Sequence, residues 1–247
     1  SRPRIYRLLW RWTNAALAFN SRKTCEHYGC DPRQALISMP AICWPPFPPP
    51  QAPGPTRFVA AASFHRCKNL HLVIEAFNRL TSEGTDAQLI VYGLTRDPGD
   101  PVYQNELIQA ARLNARITLA EYDPAWTSKL LTTDIFVHAA TVESFGIVIL
   151  EAFARGCRLV VPERTFLSDL PAPANTEAIY SFKERDIDHL LERMKLAMGK
   201  TTSGRQVWEH RKIVQPLFSF ENNAARLAVV YETLFRRRVN QGAVRQK

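Results

Sequence analysis

Between Arg57 and Val161 the apolar residues fall into two alternating rhythms. Short continuous runs at Arg57–Ala62, Gln88–Tyr92 (closed by Gly93), Arg116–Leu119, Ile135–His138 and Arg158–Val161 read as buried strands. Longer stretches with apolar residues three and four apart separate them. Leu70–Leu80, Tyr103–Leu113, a short turn around Trp126–Leu131 and the segment from about Gly146 to Ala154 read as helices. Strands alternating with helices imply right-handed βαβ units, so the expected fold class is α/β with a doubly wound parallel sheet, Rossmann-like. Beyond Val161, Ala178–Tyr180 reads as one more short strand and Asp186–Met198 as a helix carrying Ile187, Leu190, Leu191, Met194 and Leu196. A last helix is expected from Ser219, a suitable N-cap, with Ala224, Leu227, Ala228, Tyr231, Leu234 and Phe235 on one face and Arg236-Arg237-Arg238 at its end.

The proline cluster from Pro40 to Pro55 can continue neither a helix nor a central strand, and reads as a stiff extended connector. Before it, a helix-like Tyr6–Trp12, a strand-like Ala15–Phe19, a short helix Arg22–Tyr28 and a strand Ala35–Met39 make about one βαβ fragment. That fragment is too small to build a core, so residues 1–39 read as the tail of a preceding domain. Ser1-Arg2-Pro3-Arg4 opens neither an apolar signal-peptide core nor a cleavage site, and a truncated amino end is the simpler expectation.

Composition narrows the class. With 46% apolar and 22% charged residues in 247, the chain has the make-up of a folded globular protein, and no apolar stretch approaches the roughly 20 residues that cross a bilayer. Cys25, Cys30, Cys43, Cys67 and Cys157 are odd in number and form no CxxC pair, which signals neither a disulfide framework nor a zinc site and suits a reducing, cytoplasmic setting. The formal net charge of +9 is uneven: residues 1–50 hold 7 Lys/Arg against 2 Asp/Glu, residues 200–247 hold 10 against 3, and the middle is slightly acidic. A nucleic-acid binder would carry its basic stripe on the folded module, so no nucleic-acid partner is expected. The basic ends, with Trp10 and Trp12 near Arg4, Arg7 and Arg11, equally suit a solvated helix face or peripheral contact with an anionic membrane.

The most informative stretch runs from Glu143 through Ser144, Phe145, Gly146 and Ile147 to Glu151 and Ala152. One carboxylate lies just before a helix and the other within it, and Gly146 stands where the backbone turns. A carboxylate in so apolar a helix is costly unless it has a partner, and either a ligand or a local arginine such as Arg155 or Arg158 could supply it. The helix start presents unpaired N–H groups and a positive dipole end, which suit a diphosphate. In a doubly wound sheet, ligands bind at the carboxyl ends of the strands.

Here the chain resembles the nucleotide-sugar-dependent, retaining glycosyltransferases of the GT-B fold, of the family-4 type, with their Glu-x7-Glu signature. The match runs from about Ala15 to Phe235 and includes Asp134–Val137, Glu143–Gly146, Glu151–Gly156, Lys68-Asn69-Leu70, Glu75-Ala76-Phe77 and the strand ending in Gly93. The resemblance implies that Glu151 holds the donor ribose, that Glu143 faces the transferred sugar, and that the backbone of Phe145, Gly146 and Ile147 contacts sugar and phosphates. Lys68 would neutralise the donor phosphates, acting with Glu143 in catalysis, and Ser63 would stand beside them. The family's usual Gly-Arg before the lysine is replaced by Ala62-Ser63, with Arg66 nearby but out of register. Its small-residue segment after the next strand is replaced by Pro162-Glu163-Arg164-Thr165. His65 and His138 flank the expected crevice, and Asp97 and Asp100 do not form a metal-binding Asp-x-Asp, so no metal and no cofactor beyond a UDP- or GDP-sugar donor is expected.

The expected organisation is a remnant of an acceptor-side domain (1–39), a linker (40–55), a nucleotide-sugar-binding domain (56–215) and a helix packing back toward the N-terminal domain (216–247). The implied activity is sugar transfer with retention to a sugar or lipid-linked acceptor at the cytosolic face of a membrane. A chain holding only the donor half would need the missing N-terminal domain to act. The alternative is a non-catalytic binding module derived from such an enzyme.

Overall fold

A computed structural model describes residues 18–31, 36–46, 54–94, 100–170, 178–199, 209 and 211–244. The helix expected over Tyr6–Trp12, most of the strand expected over Ala15–Phe19, and Asp97 lie outside the described residues. The chain divides into two compact units, residues 45–213 and residues 1–44 with 214–247.

Within the larger unit six parallel strands form one sheet. In chain order its elements are β1 (Thr56–Ala61), α1 (Leu70–Ser82), β2 (Ala87–Leu94), α2 (Pro101–Arg112), β3 (Ile117–Glu121), β4 (Ile135–Val137), α3 (Ile147–Ala154), β5 (Arg158–Pro162), β6 (Ile179–Phe182) and α4 (Ile187–Gly199). The spatial order β3-β2-β1-β4-β5-β6 is the doubly wound arrangement expected from the sequence. Adjacent strands β1 and β4 send their connections toward opposite edges, which opens a crevice at their carboxyl ends.

Local chemistry explains the elements. In α1, Leu70, Val73, Ile74, Phe77 and Leu80 recur at helical spacing, and all are buried. Phe77 meets Phe58 of β1 edge-on, with ring centroids 6.0 Å apart. Helix α2 starts where Asp100 accepts the Tyr103 N–H at 3.0 Å and Pro101 occupies the first turn. Along β1 the side chains alternate: Phe58 and Ala60 join the core beneath α1, α2 and α4, and Val59, also buried, falls on the other face. At the amino ends of β1 and β4, Arg57 grips the fully buried Asp134 through two bonds, Nε to Oδ1 at 2.7 Å and Nη2 to Oδ2 at 2.6 Å.

The smaller unit pairs two-residue strands, Ala18–Phe19 and Leu36–Ile37, in parallel around the helix Arg22–His27. Ser21 caps that helix by accepting the Thr24 N–H at 3.1 Å. The Phe218 carbonyl accepts from the Ile42 N–H at 3.2 Å and from Trp44 Nε1 at 3.3 Å. The final helix, Phe220–Val244, is capped by Ser219, whose hydroxyl accepts from the Asn222 N–H at 3.2 Å.

Several expectations need correction. The final helix does not stop at its three arginines but continues to Val244, since arginine is a good helix former and no proline intervenes. Along it, Tyr231 is 69% exposed and Phe235 70%, whereas Val230 is buried. Periodicity shows which residues share a face, not which face has a partner. Gly93 does not close β2, which runs on to Leu94, and the turn near Trp126 is a single 3₁₀ turn, Trp126–Lys129. Among the cysteines, Cys25 and Cys157 are buried, but Cys43 and Cys67 are exposed, and all five are free thiols. Burial pushes the Cys25 thiol up to about 11, so it stays protonated as a small apolar side chain.

Candidate functional site

Two loops meet at the crevice between β1 and β4. The first leaves β1 through Ala62 and Ser63 and makes a 3₁₀ turn over Arg66–Lys68. Asn69 then adopts a left-handed conformation (φ 51°) and begins α1. Asparagine tolerates that conformation, and its buried Nδ2 donates to the Ala139 carbonyl at 2.9 Å. The second loop follows β4 through His138, Ala139, Ala140 and Thr141, and the Thr141 N–H donates to the Cys67 carbonyl at 3.1 Å. These two cross-links fix one loop against the other.

Their consequence is the contact between Lys68 and Glu143. The Lys68 Nζ donates to Glu143 Oε2 at 2.7 Å, and each side chain retains 20% exposure. The pair is thus half-sheltered rather than solvated. His138, 4% exposed, places Nε2 3.7 Å from the same carboxylate oxygen. The other oxygen, Oε1, accepts the Ser144 N–H at 3.2 Å.

Helix α3 begins immediately beyond. Its N-cap is Gly146 (φ 90°), with no side-chain cap bond. A Cβ there would adopt a strained conformation and lie 3.0 Å from Ile149 Cδ1 and 3.4 Å from Glu143 Cγ. Glycine therefore lets the chain turn into the helix beside Glu143. The Phe145 ring is buried and stacks on Phe166 with centroids 4.4 Å apart. Phe166 belongs to the 3₁₀ turn after β5, whose start Thr165 caps by accepting the Leu167 N–H. The segment Pro162–Thr165 thus leads into a packed turn at the edge of the crevice. Ile147 is exposed at 43%; the Ile149 N–H of α3 donates to the Gly146 carbonyl at 2.9 Å, and the Ile147 and Val148 N–H groups precede the helix's own carbonyl ladder. Glu151 lies in the second turn, half-buried.

Of the residues singled out from sequence, Lys68 and Glu143 are in contact, Phe145, Gly146 and Ile147 form the adjoining helix start, and Ser63 lies on the loop leading to Lys68. Arg66 is drawn elsewhere. Its Nη2 donates to Glu106 at 2.7 Å, its Nε lies 3.5 Å from Asp100, and its guanidinium sits 5.1 Å from the centre of the Tyr103 ring. Arg158 donates to the carbonyls of Ala197 at 2.5 Å and Thr133 at 2.7 Å. Sequence reasoning gave Asn69 no role of its own, although an asparagine just before a helix is a known signal for a left-handed turn. Among the described residues, no three His, Cys, Asp or Glu side chains cluster to hold a metal ion, and no helix is long and apolar enough to cross a membrane.

Against known proteins, residues 47–211 match the family model for glycosyl transferases group 1. Comparison with curated proteins gave no match. Among solved structures, the fold is similar to HepE from Anabaena in complex with UDP and glucose, with 14% identity and a TM-score of 0.75 over 94% of this chain and 66% of that one. A glycosyltransferase from Rickettsia africae ESF-5 gives 14% and 0.71 over 89% and 63%. Sucrose-phosphate synthase from Thermosynechococcus elongatus gives 18% and 0.70 over 90% and 58%. The chain therefore spans 66% or less of the length of each, and at these identities the likeness is one of fold: the parallel, Rossmann-like α/β sheet of GT-B proteins. The family match carries further, because it takes in more than half of the sequence and both loops of the crevice: this chain belongs to the glycosyl transferases group 1 family.

Proposed function

We propose that this chain is the donor-binding half of a retaining glycosyltransferase, taking a UDP- or GDP-sugar and passing its sugar to an acceptor hydroxyl. The observation that supports this reading best is the Lys68–Glu143 pair, 2.7 Å apart at the carboxyl ends of β1 and β4 and beside the start of α3. A cation with a helix amino end, and the two carboxylates Glu143 and Glu151, match the three parts of a sugar nucleotide. The diphosphate takes the Lys68 ammonium and the α3 amides, the transferred sugar faces Glu143, and the ribose hydroxyls reach Glu151. In the transfer, the bond from the anomeric carbon to the phosphate oxygen breaks as the acceptor oxygen bonds to that carbon, and the acceptor's hydroxyl proton passes to the departing phosphate oxygen. With retention, the new bond occupies the face the diphosphate leaves. Charge grows on the departing diphosphate, and Lys68 with the helix amides stabilises it where it grows. The acceptor hydroxyl, of a sugar or lipid-linked molecule, and the rest of its site belong to a partner domain in this reading.

A second reading has an observation in its favour. Ala62-Ser63 supplies no phosphate-gripping arginine, and Arg66 is tied to Glu106 and Asp100; a non-catalytic module derived from such an enzyme would have those features. Calorimetric titration with UDP, GDP, ADP and their sugars separates the two. The transferase reading expects micromolar binding of one nucleotide, weakened about 10- to 100-fold in Glu151→Ala, the loss of a hydrogen-bonded charge. Binding of none of them would leave the interaction module as the better reading.

A further inference from the structure

His138 is not among the residues that the site needs for the reading above, yet its position gives it a function there. It directly follows β4, and its backbone N–H donates to the Val160 carbonyl of β5 at 2.9 Å. Alternation puts Val137 in the core beneath α4 and the His138 ring on the opposite side. There, Nε2 stands 3.7 Å from Glu143 Oε2, the oxygen that also accepts from Lys68 at 2.7 Å.

The charges at this point balance only while the site is empty, as one ammonium faces one carboxylate. A sugar nucleotide brings two negative charges on its diphosphate and competes for Lys68. Glu143, only 20% exposed, is then left beside a dianion with its counter-ion shared or lost, an arrangement a sheltered carboxylate does not tolerate without a new partner. Two further charged groups on strands neighbouring His138 sit at the opposite end of the sheet. Arg57 and Arg158 lie at the far, amino ends of β1 and β5, bound to Asp134 and to the Thr133 and Ala197 carbonyls. Glu151, on α3, has the same sign as Glu143.

We propose that His138 is the exchange partner of Glu143. When a sugar nucleotide draws Lys68 onto its diphosphate, His138 takes a proton from solvent at Nε2, and the imidazolium holds the released carboxylate in place. This makes His138 a positioning residue, acting through Glu143, and it rests on the assignment of the crevice to a nucleotide diphosphate. Histidine suits the task because its ordinary titration range lies just below neutrality, so that a nearby anion is enough to load it. Binding is then linked to proton uptake, and affinity falls as pH rises.

The test is calorimetry on the full chain with UDP-glucose and GDP-mannose, repeated in buffers of different ionisation enthalpy. Both probes are diphosphate diesters, without the phosphate monoester group that titrates near pH 6. The expected result is uptake of about half a proton per bound nucleotide near pH 7.5, with affinity falling roughly fivefold between about pH 6.5 and 8. In His138→Gln and His138→Asn, binding persists but the proton uptake disappears. Binding by the unaltered chain without proton uptake, or uptake that survives in the His138 variants, overturns the exchange while leaving the nucleotide assignment intact. Binding of neither probe overturns both.

Discussion

Replacing Arg57 by alanine is expected to lower the stability of the six-stranded unit by about 3–5 kcal/mol, read as an earlier urea midpoint at unchanged slope. The reason lies in what remains behind. Asp134 has no exposed side-chain surface, and both of its oxygens are engaged by Arg57 at 2.7 and 2.6 Å, with Oδ2 also accepting the Leu131 N–H at 2.8 Å. Without the guanidinium a carboxylate stays buried with a single amide donor. The interaction also joins β1 to β4, the two strands whose far ends carry the crevice. Its hydrogen bond to Asp134 raises the Arg57 guanidinium above its ordinary, already high, range. A raised basic group contributes stability below its unfolded value and loses it only as pH climbs through the folded one, so this contribution stays constant between about pH 6 and 9. The double variant Arg57→Met/Asp134→Leu should recover much of the loss, because an apolar pair leaves no charge stranded, but not all of it, since the Leu131 amide loses its acceptor. A loss below about 1 kcal/mol in Arg57→Ala would instead mark the pair as an ordinary surface contact.

Gly93→Ala should be nearly as damaging, at roughly 2–6 kcal/mol, combining backbone strain with overpacking. Gly93 sits inside β2 with φ 124°, and a Cβ on it would lie 1.9 Å from the Ala62 carbonyl oxygen, far inside contact distance. The obstacle is backbone, not a side chain that can swing away. To make room, Ala62 must withdraw, and its N–H bond to the Tyr92 carbonyl at 3.1 Å goes with it. Ala62 opens the loop that carries Ser63 and Lys68. Gly93→Ala is therefore expected to weaken nucleotide binding as well as stability, although Gly93 itself lies away from the Lys68–Glu143 pair. A thermal melt and a UDP titration on the same sample check both; unchanged values in both would refute the close approach.

That glycine shows how far sequence carries. Gly93 was visible as a break in an apolar run, but a break can mean the end of a strand or the near approach of another backbone, and only the neighbouring strand decides between them. The alternation of strands and helices was legible because strands buried on both faces are continuous apolar runs, while α1 repeats Leu70, Val73, Ile74, Phe77 and Leu80 at helical spacing. Glu143 and Glu151 stood out because a carboxylate in apolar surroundings calls for a partner. The meeting of Lys68 with Glu143 was not legible: it depends on β1 and β4 lying side by side, which follows from the spatial order of the strands. The diversion of Arg66 to Glu106 likewise depends on α2 standing over the β1–α1 loop. The final helix illustrates the opposite limit, for its stripe of Leu227, Tyr231 and Phe235 follows helical spacing and yet is exposed.

The most direct test is a crystal structure of this chain soaked with UDP. The expected result places the diphosphate against Lys68 Nζ and the first-turn amides of α3 at Ile147 and Val148, with the ribose hydroxyls on the Glu151 carboxylate and the Lys68–Glu143 distance longer than 2.7 Å. UDP bound elsewhere, with Lys68 and Glu143 still joined and Glu151 facing no ligand, would contradict the assignment of this crevice to the donor.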